Sequence, residues 1–340
     1  MNRCSRRTRA WRVHRIGGAG EAMSWDEIEL RDPGEGEVRL RHTAIGVNRS
    51  DIRTRNAGVF LQERLTLPAV PGMEGVGVVQ ALGEGVRNIR PGDRVAYVGM
   101  GGGWNSSGSY CLERNVPAAR LVIVPDDIAD AAVAAVFSKG LTAACLLRHV
   151  FPVKRGDTVL IHAAAGGTGL ILSQWARHLG AQVIIGTVGS SEKARIAREH
   201  GCTHTILYKD CDFVGAVRSV VPEGVNVVYD GVGKDTFAGS LECLRAFGTL
   251  VCYGTVSGAP PLLDPRDLLA KGSLSVACPG LRHFLDTREM LTNASSEIFD
   301  LIREEGIAAC IGASYAIESA VQAHRDIESG VIAGAAILLT

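Results

Sequence analysis

The chain has 340 residues, 46% of them apolar, with 36 basic residues balanced by 36 acidic ones. That length exceeds one ordinary domain and can bury a large core, while a net charge of zero carries no basic footprint for nucleic acid or an acidic membrane surface. No uninterrupted apolar run is long enough for a bilayer span; Asp130 to Val150 comes nearest, and Ser138, Lys139 and Gly140 interrupt it. The nine cysteines occur singly, without C-x-x-C pairs, which reads as reduced thiols in a cytoplasmic protein.

In chain order, the tail Met1 to Arg9 carries Arg3, Arg6, Arg7 and Arg9 and reads as a disordered basic arm or an upstream start, too short for an organellar presequence. The first strand-like run is Ala10 to Ile16. Glu37 to His42 alternates with period two, and Gly75 to Leu82 and Arg94 to Val98 are apolar runs bounded by turn residues such as Pro91-Gly92-Asp93. The patch Gly99 to Gly108 reads as a mobile loop. Everything before residue 125 therefore reads as a compact β-barrel. Asn48-Arg49-Ser50, Asn105-Ser106-Ser107 and Asn293-Ala294-Ser295 match the glycosylation sequon, which carries no weight without a secretion signal.

From Asp157 the pattern changes. Six short apolar runs alternate with helix-like segments: Asp157–Ile161, Ala181–Thr187, Thr203–Tyr208, Asn226–Asp230, Thr249–Gly254 and Ser273–Cys278. The intervening segments include Glu192 to His200, Val214 to Val221 and Thr236 to Phe247. Apolar strands without alternation, joined by helices, indicate a parallel sheet covered on both faces, and two three-strand halves make a doubly wound α/β (Rossmann) domain. Helices near Asp286 to Glu304 and Ala316 to Ser329 and a last strand, Ala335 to Leu339, return to the barrel.

The most informative segment joins the first of those strands to its helix. His162-Ala163-Ala164-Ala165-Gly166-Gly167-Thr168-Gly169 has almost no side chains, so a pyrophosphate can approach the free amides and positive dipole end of the helix that starts there. In the fingerprint Gly-x-Gly-x-x-Gly, Ala164 replaces the first glycine, while Gly166 and Gly169 occupy the other two. The second strand ends Gly186-Thr187-Val188-Gly189-Ser190-Ser191-Glu192-Lys193, without the acid at its tip that would hold the ribose hydroxyls of NAD. Hydroxyls at Ser190 and Ser191 and the cation of Lys193 suit an extra phosphate, which favours NADPH. Glu192 opposes that reading, and Ser190 also suits a helix cap.

Asp93-Arg94-Val95 after Pro91-Gly92, Gly46-Val47-Asn48, Pro71 to Gly77, Lys139-Gly140-Leu141-Thr142-Ala143 and the small-residue turn together resemble the zinc-free quinone oxidoreductases of the medium-chain dehydrogenase/reductase superfamily. The resemblance runs from Ala10 to Leu339. It implies a GroES-like domain formed from residues 1–127 and 280–340, a NADP-binding domain at 128–279, a cleft site at their junction, and a homodimer through the edge strand 273–278. It places Asn48 at the nicotinamide and substrate as a donor and Thr142 against the nicotinamide ring. Gly166, Gly167, Thr168 and Gly169 would bind pyrophosphate. Gly186, Lys193 and Tyr208 would lie near the ribose phosphate, and Gly233 by the adenosine pocket. Tyr253, Gly254, Thr255 and Val256, with Ala277, Cys278 and Pro279, would line the nicotinamide side. Read without the resemblance, Asn48 satisfies a turn, Thr142 bonds its helix backbone, and Tyr208 packs at a strand end.

Zinc-dependent relatives have cysteine where this chain has Asn48, and histidine where it has Met73 before Glu74. Carboxamide and thioether are poor zinc ligands, so no metal is expected. Hydride addition to a simple ketone leaves an alkoxide, of conjugate-acid pKa about 15.7. Addition to a quinone or enone leaves a phenolate-like or enolate oxygen nearer about 10, a gap of about 8 kcal/mol that a metal-free site need not supply. The acceptor is thus a quinone or activated alkene, and the rival readings are an enone or acrylate double-bond reductase and a non-catalytic crystallin-like NADPH-binding protein. Two departures bear on this. Arg53 stands where many quinone reductases have tyrosine, free to meet a substrate carbonyl or carboxylate or to pair with Asp51. Gly334-Ala335-Ala336 stands where relatives often have Gly-Lys.

Overall fold

The computed structural model of the protein describes residues 6–57, 59–60, 63–99, 108–304 and 306–340. The arm Met1–Ser5, residues 100–107 of the glycine-rich patch and the sequon at 105–107 lie outside the described residues. The chain divides into two compact units, one from Met1–Ser138, Leu285–Asp300 and Ala309–Thr340, the other from Lys139–Phe284 and Leu301–Ala308.

The first unit is the β-rich one. Its strands are β1 (Arg6–Val13), β2 (Met23–Leu30), β3 (Glu37–Val47), β4 (Val59–Phe60), β5 (Glu63–Arg64), β6 (Glu74–Leu82), β7 (Arg94–Val98), β8 (Glu113–Pro117) and β9 (Val122–Ile123). Alternation in β3 and its neighbours turns Val38, Leu40, Val79, Val95, Tyr97 and Val116 into one core. The later half of β3, with Ile45 and Val47, faces a second core that includes Trp11, Met73, Tyr110 and Ile317. The basic arm expected at Met1–Arg9 is corrected for its second half, because Arg6–Arg9 belong to β1, antiparallel to β2. Thr8 and Ala10 point inward there. Arg6 grips Glu113 with two hydrogen bonds at 2.8 and 2.9 Å, and Arg9 lies over the Trp25 ring.

The second unit carries β10 (Thr158–Ile161), β11 (Val183–Val188), β12 (His204–Leu207), β13 (Val225–Asp230), β14 (Leu244–Cys252) and β15 (Ser275–Ala277). They form one parallel sheet in the order β12-β11-β10-β13-β14-β15. This is the doubly wound arrangement, whose order reverses beside β10, where such sheets take their ligands. Val159, Leu160, Ile184, Ile185, Val227 and Val228 have no exposed surface, as strands covered on both faces require. One expectation fails here. The helix read over Thr236–Phe247 stops at Glu242, and Leu244 already starts β14. Leu244 pairs with Val225, and Phe247, at φ 60°, gives its N–H to the Gly272 carbonyl, so sheet pairing overrides a helical pattern.

The chain returns to the first unit with β16 (Ile311–Ala316) and β17 (Ala335–Leu339). The sheet there runs β16-β17-β3-β6-β7-β9, with β8 also paired to β3. The stretch Asp130–Val150 is long and apolar enough to cross a membrane by length and composition, and 72% of its apolar window is buried within the protein, as in a core helix.

Candidate active site

The small-residue turn leaves β10 at Ile161 and enters the helix Gly167–His178. Gly166 starts that helix in an extended conformation with no side-chain cap, so the first amides keep their donors for a ligand. Ala163 adopts φ 52°, which a residue with a side chain rarely does. Side-chain space is absent at two points. A methyl on Gly169 would lie 2.5 Å from the Ala163 carbonyl oxygen, and one on Gly186 would lie 2.6 Å from Ala164 Cβ. This cradle fits a pyrophosphate, with Gly166, Gly167, Thr168 and Gly169 contributing backbone alone or a small hydroxyl.

Beneath the turn lies a network that sequence reasoning missed. His162 Nδ1 lies 2.9 Å from the Thr187 hydroxyl and Nε2 lies 3.0 Å from the Ser240 hydroxyl. Ser240 donates to Asp230 at 3.0 Å, and Thr236 donates to it at 2.7 Å. Asp230 also accepts the amides of Val232 and Gly233 at 2.8 and 3.0 Å. The ends of β10, β11 and β13 are thereby tied together around one buried carboxylate. Burial drives the His162 pKa down, with Asp230 opposing. Gly233, at φ 95°, packs so closely on the following loop that a methyl there would lie 2.5 Å from the Gly258 carbonyl oxygen.

At the tip of β11, Ser190 caps the next helix by accepting the Lys193 amide at 3.3 Å. Glu192 is drawn onto Arg195, with its closer contact at 2.6 Å, and Arg195 also holds Glu199. That pairing neutralises the acid that opposed a phosphate here. A methyl on Gly189 would lie 3.4 Å from the Tyr208 hydroxyl and 3.5 Å from Lys209 Cε. Tyr208 and Lys209 are exposed, and Lys209 pairs with no carboxylate among the described residues. Lys209 was missed because nothing in the linear spacing ties it to Gly189.

Thr142, Tyr253 and Pro279 come together around a cavity of about 110 Å³ that Cys145, Leu146 and Leu281 complete. Burial pushes the Cys145 thiol up to about 11 and the Tyr253 phenol higher still, so both stay protonated. Ala277 pairs with Val251 across the sheet edge, Gly254 packs on the Gly231 backbone, Thr255 is partly covered, and Val256 and Cys278 are exposed.

Asn48 and Arg53 belong to the first unit. Asn48 closes β3 ahead of the helix Arg49–Ala57. Its side chain does not cap that helix; Nδ2 donates to Glu74 Oε1 at 2.8 Å. Glu74 is buried, and its other oxygen accepts the Ser138 amide at 3.0 Å. Gly46 is glycine because a methyl there would lie 2.1 Å from Glu74 Oε1. Glu74 takes one amide proton of Asn48, and the other has only a long contact, 3.5 Å from Nδ2 to the Gly46 carbonyl oxygen. Arg53 is exposed, whereas Asp51 is fully buried two positions earlier on the same helix.

Residues 34–126 match the alcohol dehydrogenase GroES-like domain, and residues 167–298 match the zinc-binding dehydrogenase family. The donor set does not fit a catalytic zinc: Asn48 is a carboxamide bonded to Glu74, and Met73 is buried in an apolar core. The chain is 40% identical over 334 residues to the 2-haloacrylate reductase of a Burkholderia species, covering 96% of this chain and 97% of that one. It is 38% identical over 329 residues to quinone oxidoreductase 1 of Escherichia coli strain K12, covering 96% and 98%. The crystal structure of Escherichia coli quinone oxidoreductase complexed with NADPH superposes with a TM-score of 0.91 at 38% identity, covering 98% of this chain and all of that one. A GroES-like unit and a doubly wound unit with a glycine turn define the medium-chain dehydrogenase/reductase fold. Within that superfamily, the chain belongs to the quinone oxidoreductase family.

Proposed function

We propose that the protein is an NADPH-dependent oxidoreductase that reduces quinones without zinc. The observation that carries this reading is the uncapped helix start at Gly166, backed by the Gly189 loop after β11, where Tyr208 and Lys209 from the end of β12 come close and Glu192 is paired with Arg195. Bound NADPH supplies reducing equivalents, as a hydride or as single electrons, from its nicotinamide ring. Gly166, Gly167, Thr168 and Gly169 hold the pyrophosphate by backbone, Gly186 and Gly233 give the close approach, and Lys193, Tyr208 and Lys209 bind the ribose phosphate. Thr142, Tyr253, Gly254, Thr255 and Val256, with Ala277, Cys278 and Pro279, orient the nicotinamide. Asn48 presents its amide to the acceptor oxygen, and Arg53 recognises a carbonyl or carboxylate of the acceptor. Protonated Cys145 and Tyr253 keep anionic charge away from the ring. Eight described cysteines are free thiols, which supports a cytoplasmic setting.

The 2-haloacrylate reductase relative supports a second acceptor class, the activated alkenes. Stopped-flow oxidation of NADPH against quinones, enones and 2-haloacrylates separates the readings. Turnover fastest with quinones is expected. Turnover with acrylates alone moves the assignment to double-bond reduction. No turnover despite tight NADPH binding leaves a nucleotide-binding protein.

Lys209→Ala and Lys193→Ala should each weaken NADPH about tenfold, the worth of one exposed charge-assisted contact, and leave NADH within twofold. Fluorescence titration with both nucleotides checks this, and equal losses for both would remove the lysines from the phosphate. The β15 edge is flanked by Phe247 and Leu269, both largely exposed, and edge-to-edge pairing there would give a homodimer. Phe247→Glu with Leu269→Glu should convert a dimer into a monomer by light scattering, and a monomeric parent chain overturns this assignment.

A further inference from the structure

A line of buried polar side chains crosses the first unit from the helix Ala320–Ser329 to Asn48. Arg55 Nη2 donates to Glu328 Oε1 at 2.5 Å, and Arg55 Nη1 lies 2.8 Å from His324 Nδ1. His324 Nε2 lies 3.1 Å from the Tyr110 hydroxyl, which donates to Asp51 Oδ2 at 3.4 Å, the longest link. Asp51 Oδ2 also takes the backbone N–H of Asn48 at 3.0 Å. Asp51, Arg55, Tyr110 and His324 have no exposed surface.

The chemistry gives this line one direction. A guanidinium only donates, so His324 Nδ1 accepts and the ring proton sits on Nε2. Nε2–H then donates to the Tyr110 oxygen, and Tyr110 gives its own proton to the Asp51 carboxylate. Burial and the Arg55 cation push His324 down to about 3, which keeps the ring neutral at ordinary pH. Arg55 does not release a proton at any working pH, so the line does not conduct protons from Glu328 to Asp51. Its remaining capacity is to orient.

What it orients is the start of the helix that carries Asn48. In a capping box, the N-cap side chain takes the amide three residues on, and that residue's side chain returns to the N-cap amide. Here Asp51 performs the return half, while its own N–H goes to the Asn48 carbonyl at 3.0 Å. The Asn48 side chain is thereby released from capping and turned to Glu74.

We propose that Tyr110, His324 and Arg55 are positioning residues that act through Asp51 to hold Asn48 in the conformation that meets the acceptor. This rests on the reading of Asn48 as an acceptor-side residue. The test uses the full chain and two readouts: steady-state NADPH oxidation with 1,4-benzoquinone, and hydrogen–deuterium exchange of the peptide containing Asn48 without nucleotide. Tyr110→Phe and His324→Leu should lower kcat about tenfold, leave the NADPH KM within twofold, and speed exchange at Asn48 about tenfold. His324→Gln offers an oxygen to Arg55 and an N–H to Tyr110, and should restore most of both. Unchanged exchange at Asn48 in Tyr110→Phe overturns the positioning role, as does a rise in NADPH KM equal to the fall in kcat. If the parent chain turns over no quinone while exchange responds as stated, the acceptor assignment fails and the positioning of Asn48 stands. His324→Leu is the variant at risk of misfolding; Tyr110→Phe removes one hydroxyl and keeps the ring.

Discussion

Gly169→Val should abolish NADPH binding at ordinary concentrations. A Cβ at this position lies 2.5 Å from the Ala163 carbonyl oxygen and 2.8 Å from both Ala164 Cα and the Ala164 carbonyl oxygen. All three obstacles are backbone, so no flexible side chain can swing aside. Ala163 already sits at φ 52°, a conformation that costs on the order of 1–3 kcal/mol and leaves little room for further displacement. The turn must therefore open, carrying the first helix amides away from the pyrophosphate. An affinity loss of about a hundredfold or more, equivalent to about 3 kcal/mol, is expected by calorimetry, with a lower melting temperature. Gly166→Ala is the milder counterpart, because its methyl meets only the Ala163 oxygen, at 3.2 Å. A Gly169→Val protein that binds NADPH like the parent would remove this turn from the cofactor site.

Glu74→Ala should strike the acceptor side while sparing the cofactor. Both carboxylate oxygens are occupied, one by Asn48 Nδ2 and the other by the Ser138 amide, and the side chain is buried. Alanine takes the buried acceptor away from two donors, a loss of about 1–3 kcal/mol for each bond, and leaves the Asn48 amide only its long contact to Gly46, so that it can rotate. The expected result is a kcat with quinone lower by about a hundredfold, a melting temperature several degrees lower, and NADPH affinity within about threefold of the parent. Glu74→Gln keeps the size and one acceptor, and should fall between. Steady-state kinetics with nucleotide titration checks this, and an equal loss of NADPH affinity would mean that Glu74 supports the fold as a whole.

The second unit was largely legible because its signals are local. Apolar runs such as Val159-Leu160-Ile161 and Ile184-Ile185 mark buried parallel strands, and the glycine turn sits between a strand and its helix in one short segment. What escaped was set by distant partners. Arg6 to Arg9 read as a loose arm because the partner of Arg6, Glu113, lies 107 positions away. Leu244 looked helical beside Leu241 because its pairing with Val225 is a tertiary fact. Glu74 was visible only as the residue after a replaced zinc ligand; its bond to Asn48 spans 26 positions. His162 opens the small-residue turn in the sequence, yet its place between Thr187 and Ser240 needs three chain segments to converge.

The interleaving of the two units has a consequence for biosynthesis. β10 through β15 lie in one uninterrupted run of sequence, so a ribosome can release the whole parallel sheet while later residues are still being added. The far end of β3 must wait, since its antiparallel neighbour is β17, and β17 in turn takes β16 as its outer strand. Until those residues emerge, Ile45 and Val47 have an unfilled edge beside them and an incomplete apolar layer. The nascent chain therefore passes through a stage in which a finished nucleotide fold is tethered to a barrel open along one seam, the stage at which a chaperone has most to cover.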